Sequence, residues 1–276
     1  MRPLFSRELE TRQIQSPRLF AVHSWGNAGV VWVGRLIGAH PECLALPFGR
    51  QSAAALTPAI DGATPPVGLV PYFEFVERLG VDRALAGSLG DTGPGEFAEL
   101  TVRFGNAFRG FGLIGHPIIR AASSINFCRC VGRSMSFEEF AREWGFAADH
   151  PILRAANQTF GPKGDYIAAH YLMHVNGAPG GSAFGPLYDI QELMVSAERR
   201  DEMLGYASDG ALSFSGVDLA CLLERYVGIA HGVFQYSLQE IWDAFAPEVR
   251  QGFRALLTEE ARAFYADRGY DLSLLA

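Results

Sequence analysis

Short apolar runs separated by small and polar residues mark the first half of the chain. Leu19 to His23 is such a run, the segment Ser24 to Gly29 follows it, and a longer apolar stretch extends from Val30 to Ile37. A short apolar run bounded by turn residues is typical of a buried strand, and the longer stretch closing at Gly38 is typical of a helix. The pattern therefore predicts a strand, a turn and a helix over residues 19–37.

The same succession of strand and helix recurs later in the chain. Gly112 to Gly115 predicts another buried strand. Pro117 suits the first turn of a helix that runs to about Cys128, because a first-turn residue needs no backbone donor. Leu44 to Pro47 predicts a further short strand and Pro71 to Leu79 a helix. Strands that alternate with helices indicate a parallel sheet.

The second half of the chain is predicted to be mainly helical. Apolar residues recur at three- and four-residue spacing over 190–204, 217–229 and 247–265. Ser136 and Glu139 match a capping box at another helix start, and the glycine-rich stretch 177–185 is a candidate substrate lid. These patterns predict one α/β domain over 1–276, a three-layer sandwich with a central parallel sheet, a P-loop-like strand-turn-helix and a helical carboxyl-terminal half.

Composition and charge exclude several classes of function. Of the 276 residues, 49% are hydrophobic and 19% charged, so the chain can bury a sizeable core. The 23 basic residues are dispersed among 30 acidic ones, which argues against a nucleic-acid partner. Arg35 interrupts the most apolar stretch, which is far shorter than the roughly 20 residues that cross a bilayer.

The expected compartment is the cytoplasm. The amino-terminal residues lack the apolar core of a signal peptide, and the four cysteines have neither a paired metal-binding spacing nor the density of a disulfide scaffold. Lys163 is the only lysine, which argues against catalysis through a lysine amine. We expect reduced thiols, no membrane and a small-molecule partner, and the oligomeric state stays open.

The segment after the first predicted strand resembles the 5′-phosphosulfate loop of the sulfotransferases. That family has a strand, then Pro-Arg/Lys-Ser-Gly-Thr-Thr-Trp, a leucine-rich helix and His-Pro. Here the segment reads Gly-Asn-Ala-Gly-Val-Val-Trp over 26–32, and His40-Pro41 closes the helix. The family's strand ending in Arg-Asn/Asp-Pro, with a serine on the following helix, corresponds to Gly115-His116-Pro117 and Ser123. The stretches 136–140 and 241–270 are also similar to bacterial sulfotransferases, and Ala230-His231-Gly232 corresponds to the family's Arg-Lys-Gly element.

The resemblance implies a sulfotransferase-like fold and a site for 3′-phosphoadenylyl sulfate (PAPS). The positions it assigns to this donor are Gly26, Asn27, Ala28, Gly29, Val30 and Ser123. Asn27 replaces the family's cation, Ala28 removes a hydroxyl, and Val30 and Val31 replace two threonines by side chains of equal size without a donor. Each lost oxyanion donor costs about 3 kcal/mol in a transition state. We therefore expect PAPS, or its product 3′-phosphoadenosine 5′-phosphate (PAP), as a cofactor only if the family activity is retained.

Two histidines lie at the ends of neighbouring predicted strands. His23 can act as a general acid or base because the pKa of imidazole lies near neutrality, and His116 ends a neighbouring strand at comparable depth. The candidate catalytic residues are His23, His116 and Asn27, the last of which would stabilise developing negative charge. Ser24 and Trp25 are the candidate substrate contacts. The alternative for each histidine is a structural bond to the backbone at the end of a strand.

A metal site is not expected. His170 and His174 have the spacing of two ligands on one helix face, but Tyr171 stands where a zinc protease has glutamate. A buried pair of hydrogen-bonded histidines explains the same pattern. The sequence thus predicts an enzyme that acts on a small, largely apolar molecule with the PAPS site eroded. The alternatives are a PAPS-dependent sulfotransferase that acts on a hydroxyl, and a non-catalytic binding or scaffold protein of the same fold.

Overall fold

A parallel sheet of five strands organises the chain. The structure is a computed structural model that describes residues 16–24, 29–47, 69–90, 94–130, 174–180, 185–229 and 236–276. The strands are β1 Arg18–Ser24, β2 Cys43–Pro47, β3 Leu85–Leu89, β4 Phe108–Ile114 and β5 Leu187–Asp189. Their order across the sheet is β2-β3-β1-β4-β5, and all four pairings are parallel. The prediction of an α/β protein with a central parallel sheet is confirmed.

Helices connect the strands and form most of the carboxyl-terminal part of the described chain. The first four are α1 Val30–Gly38, α2 Leu69–Leu79, α3 Pro94–Phe104 and α4 Pro117–Cys130. The later ones are α5 Ile190–Val195, α6 Ala197–Ser208, α7 Ala220–Ile229, α8 Leu238–Ala244, α9 Pro247–Leu256 and α10 Glu259–Ala266. Short 3₁₀ turns cover Gly105–Ala107 and Ser273–Leu275.

Two of the predicted long helices are each broken in two. The continuous helix expected over 190–204 ends at Val195, and the one expected over 247–265 ends at Leu256. In both cases a hydroxyl side chain starts the next helix: Ser196 accepts a hydrogen bond from the Arg199 amide, and Thr258 accepts one from the Ala261 amide. A hydroxyl that caps a new helix start competes with helix continuation.

The two faces of the sheet carry different helices. Along β1, Phe20 and Val22 pack in one core cluster with α1, α5 and α6, whereas Leu19 and Ala21 pack in another with α2 and α3. This alternation is the two-residue period of a strand that is covered on both sides. Ile114 of β4 lies on the side of α2 and α3 and packs with α4 and the carboxyl-terminal helices.

The sheet has a topological switch point between its two central strands. From β1 the chain continues through α1, on one face of the sheet, to β2, which lies two strands away in one direction. After β4 the chain continues into α4 on the opposite face, and β5 lies next to β4 in the other direction. Neighbouring strands whose connections leave in opposite directions open a crevice at their carboxyl ends. The crevice between β1 and β4 is where a ligand site is expected in this type of sheet.

Ion pairs join the amino-terminal ends of β1 and β4 to the end of α6. Asp209 follows that helix and accepts from Arg18 of β1 at 2.5 Å and from Arg109 of β4 at 3.3 Å. Asp209 has a left-handed backbone with φ 59°, a conformation that aspartate tolerates better than most residues. These contacts join the amino-terminal ends of the two strands, at the end of the sheet far from the crevice.

Candidate functional site

The carboxyl ends of the neighbouring strands β1 and β4 place His23 and His116 at the same end of the sheet. His23 lies opposite Gly112 and Ser24 opposite Leu113 in the parallel register, and both β1 residues are half-buried. Gly112, the partner of His23 in this register, has no side chain. The structure therefore places His23 and Ser24 at the switch point.

Gly29 shapes the start of α1 at this edge. It is the N-cap residue and adopts a left-handed backbone with φ 78° and ψ 19°, which favours glycine. The first helical hydrogen bond runs from the Val33 amide to the Gly29 carbonyl at 2.9 Å. The amides of Val30, Val31 and Trp32 precede that bond and have no acceptor within the helix. A left-handed residue before a helix directs successive N–H groups to one point, where negative charge is stabilised.

The first turn of α1 has an apolar outer side. Val30 is 9% exposed, Trp32 is buried, and Val31 is 38% exposed, which makes it one of the exposed large hydrophobic side chains among the described residues. These valines stand where the sulfotransferase pattern has threonines. A ligand next to this turn meets backbone donors and a hydrocarbon surface.

Four predicted site residues lie outside the described residues. They are Trp25, Gly26, Asn27 and Ala28, which connect β1 to the start of α1. Their assignments to catalysis, donor binding and substrate contact therefore stay predictions. Of the metal-spaced pair, His170 also lies outside, as do the predicted helix start at Ser136 and residues 181–184 of the glycine-rich stretch.

His116 is the N-cap residue of α4 and is bonded to the backbone through both ring nitrogens. Its Nδ1 accepts a hydrogen bond from the Ile118 amide at 3.2 Å, and its Nε2 donates to the Asp271 carbonyl at 2.7 Å. The side chain is 3% exposed, and this burial lowers the pKa of His116 below its usual 6.5. The geometry matches the structural alternative for a histidine at the end of a strand. A proton-transfer role for His116 stays a prediction.

Ser123 is buried on the second turn of α4, at 6% exposure. Six residues of helix separate it from Pro117, which is about 9 Å along the helix axis. It therefore shares a helix with His116 but lies deeper than the strand ends. Its assignment to donor binding continues to rest on the resemblance.

A cluster of titratable side chains next to the switch point escaped sequence reasoning. Asp189 ends β5 and caps α5, where its Oδ1 accepts from the Gln191 and Glu192 amides at 2.6 and 3.1 Å. The Tyr270 hydroxyl donates to Oδ2 of the same carboxylate. Burial, and then the negative charge of Asp189, raise the pKa of Tyr270 above its usual range.

The same cluster contains a buried cation. Arg120 of α4 is 4% exposed, and its Nη1 lies 3.4 Å from the hydroxyl of buried Tyr265. Its aliphatic stem occupies the space beside Gly115, because a Cβ built on that glycine would lie 3.6 Å from Cγ of Arg120. An arginine flanked by Pro-Ile-Ile and Ala-Ala in the sequence is the signal that could have revealed this group.

The described residues contain neither a metal cluster nor a spanning helix. Within the described ranges no three or more histidine, cysteine, aspartate or glutamate side chains are grouped to hold a metal ion. No helix in these ranges has both the length and the apolar character that crossing a membrane requires.

Comparison with known proteins adds no family to this description. Protein-family models, curated proteins and solved structures were compared with the chain, and none matches. The candidate site is thus defined by its own geometry: a half-buried histidine at the switch point, an α1 start with left-handed Gly29, and a second histidine bonded to backbone.

Proposed function

We propose that the chain is a cytoplasmic enzyme that acts on a small, largely apolar molecule in the crevice between β1 and β4. His23 serves as its general acid or base. The observation that supports this most is the position of His23, half-buried at the carboxyl end of a central strand, at the switch point of the sheet. Ligands of open parallel sheets bind at such a place.

Proton transfer is assigned to His23 because of what its neighbours do. His116 uses both ring nitrogens for backbone bonds within the described structure, so moving a proton through it would break a helix cap. His23 lies opposite Gly112 in the adjacent strand, a position that contributes no side chain to this end of the sheet. An imidazole changes its charge near neutral pH and can both accept and donate a proton.

The start of α1 stabilises negative charge that develops on the substrate. The amides of Val30, Val31 and Trp32 are the first donors of the helix, and left-handed Gly29 orients them. Backbone donors that are fixed before the reaction lower a transition state by roughly 3 kcal/mol each. In this proposal the Asn27 side chain adds a further donor from the segment between β1 and α1.

An apolar substrate fits the side chains at the same turn. Val31 exposes hydrocarbon where a donor with several phosphate groups would need hydroxyls and cations. Val30, at 9% exposure, has no hydrogen-bonding group either. Apolar surface beside a few directed polar groups is typical of small-molecule sites.

A second candidate function is sulfuryl transfer from PAPS to a hydroxyl. The observation that favours it is Arg120, a buried guanidinium that follows β4 by six residues and passes beside Gly115. A cation here would replace the one missing from the loop at Asn27. In this alternative, Ser123 and the amides of α1 would complete the donor site.

Titration calorimetry with PAP separates the two candidates. The repurposed enzyme is expected to bind PAP no more tightly than about millimolar, since the loop lacks the cations and hydroxyls that hold phosphate groups. The contrary result is micromolar binding of PAP that is lost in Arg120→Gln while circular dichroism shows that the variant is folded. It would overturn the proposal and establish the sulfuryl-transfer alternative.

The role of His23 is tested by its pH profile. A library of apolar alcohols and carbonyl compounds is screened by thermal shift, and turnover of the best binder is followed in wild type, His23→Gln and His40→Gln. His40 is the control because it is a buried, backbone-bonded histidine at the far end of α1, away from the carboxyl ends of β1 and β4. The pH profile of kcat/KM should show an inflection in wild type and in His40→Gln, and this inflection should be absent in His23→Gln. Unchanged turnover in that variant would refute the assignment.

A further inference from the structure

The carboxyl-terminal segment Tyr270–Ala276 is fastened across the ends of β4 and β5. The Asp271 carbonyl accepts from Nε2 of His116 at 2.7 Å, and the Tyr270 hydroxyl donates to Asp189. Farther along, Leu275 is fully buried in the cluster that contains α4. The segment therefore reaches the starts of both α4 and α5.

The helix cap that His116 makes requires a neutral ring. Nδ1 accepts the Ile118 N–H, so this nitrogen carries no proton and the ring hydrogen lies on Nε2. A proton on Nδ1 would point at the Ile118 N–H and convert an attractive contact into a repulsive one. The imidazolium would also lie at the positive end of the α4 dipole.

We propose that His116 is a pH-sensitive latch that holds Tyr270–Ala276 over the ends of β4 and β5. In the neutral ring, one nitrogen caps α4 and the other holds the Asp271 carbonyl. When the ring takes up a proton from solvent, the cap breaks and the charged ring turns out of its buried site, which moves Nε2 away from the Asp271 carbonyl and releases the segment from the ends of β4 and β5. The device is independent of the reaction proposed for His23.

Charged groups from each element packed against His116 set the direction of the response. Burial opposes the imidazolium, whereas the hydrogen bond to the Asp271 carbonyl and the negative charges of Asp271 and Asp189 favour it. Arg120 of α4 is the buried cation of the same cluster. The tyrosine hydroxyls at 265 and 270 remain neutral because the pKa of each is raised. Burial is the largest influence, so the folded ring protonates at lower pH than the unfolded one.

The sign of the pH dependence follows from this lowered pKa. Above about pH 6.5 the ring is neutral in both the folded and the unfolded chain, and the latch contributes fully to stability. As pH falls below 6.5, the unfolded chain binds the proton first and the contribution decreases. It is lost once the pH has passed the folded pKa. The latch is therefore closed at neutral pH and opens on the acid side.

His40 provides a matched control within the same chain. It also precedes a proline, and its Nδ1 accepts the amide of the residue after that proline, Glu42, at 3.1 Å. Its ring is 9% exposed and packs edge-on against Phe214. The two histidines share the local motif, but only His116 is bonded to the carboxyl-terminal segment among the described contacts.

Hydrogen exchange of the full chain tests the latch, with rates corrected for the intrinsic effect of pH. The amides of Ser273 and Leu275 are the reporters, because they donate to Asp271 and to the Leu272 carbonyl at 2.9 and 2.8 Å. In wild type and in His40→Asn, protection of these amides should fall about 10-fold or more between pH ~7.5 and pH ~5. In His116→Asn, which keeps a cap acceptor but cannot reach Asp271, protection should be low at both values.

Two outcomes would overturn the proposal. One is equal protection of Ser273 and Leu275 at both pH values in wild type. The other is the same acid-dependent loss in His116→Asn as in wild type. If that variant fails to fold, nitrogen NMR of histidine-labelled wild type replaces it: the His116 ring must be the Nε2–H tautomer at neutral pH, and its protonation must coincide with the loss of protection. Protonation without that loss refutes the latch.

Discussion

Alanine substitutions at the two ends of α1 should change stability in opposite directions. Gly29 begins the helix with φ 78°, in the left-handed region, whereas Gly38 ends it in the ordinary helical region and is exposed. A Cβ on Gly38 would touch only the Ala45 Cβ, at 3.8 Å. Gly29→Ala therefore meets a backbone penalty that Gly38→Ala avoids.

The difference between the two variants has a calculable size. Each alanine restricts the unfolded chain to the same degree, which favours folding by about 0.4–1 kcal/mol. This contribution cancels when the two variants are compared. What remains is the free-energy cost of holding an alanine in the left-handed backbone conformation, about 1–2 kcal/mol. Gly38→Ala should raise the free energy of unfolding above that of wild type, and Gly29→Ala should fall below Gly38→Ala by about that penalty.

Urea unfolding followed by tryptophan fluorescence measures both free energies. Trp32, 4% exposed on α1 itself, is a buried reporter. At this chain length each kcal/mol corresponds to about 2–4 °C in Tm. Gly29→Asn is the control, because asparagine tolerates the left-handed region and should recover part of the loss. Equal stability of Gly29→Ala and Gly38→Ala would refute the assigned backbone of Gly29.

Three further predictions concern packing, charge and thiol reactivity. Gly87→Ala should prevent folding, as judged by circular dichroism, because its Cβ would lie 2.1 Å from the Phe20 carbonyl oxygen in the adjacent strand. Asp209→Asn should cost about 1 kcal/mol or less in chemical unfolding, and high salt should shrink this loss because the ion pairs are half-exposed. In peptide mapping after alkylation at pH ~8, exposed Cys221 should react; burial raises the pKa of Cys43 to about 12, so it should react only after unfolding.

The sequence predicted the elements around the crevice well because their apolar pattern is local. The expected strand at 19–23 and helix at 30–37 differ from β1 and α1 by one or two residues. The strand expected at 112–115 begins four residues earlier, at Phe108, because Arg109 interrupts the apolar run at a half-buried position. Pro117 was correctly assigned to the first turn of α4.

Other elements have no strong local pattern and were not predicted. β3 contains Gly87 and Ser88, yet every residue of it is buried between two strands and two layers of helices. β5 has only three residues, and its existence depends on pairing with β4. Long-range pairing of this kind is invisible to periodicity, because the partner lies far away in the sequence.

The candidate site was only partly accessible to sequence reasoning for the same reason. The chain order indicated that His23 and His116 lie at the ends of two strands, and the register confirms that those strands are neighbours. The partner that fixes His116 is the Asp271 carbonyl, at the other end of the chain. No local pattern indicates such a contact, so the partner of His116 became evident only in the fold.

The central position of β1 has a consequence for the chain as it is synthesised. Among the described strands β1 is made first, yet its neighbours on both sides come much later, since Arg18 pairs with Leu85 and Leu19 with Phe108. Until the ribosome has delivered those residues, Leu19 to Val22 remain an unpaired apolar strand. Non-local parallel pairing is slow and exposes such edges to aggregation. Nascent chains that stop short of β4 should therefore depend on chaperones.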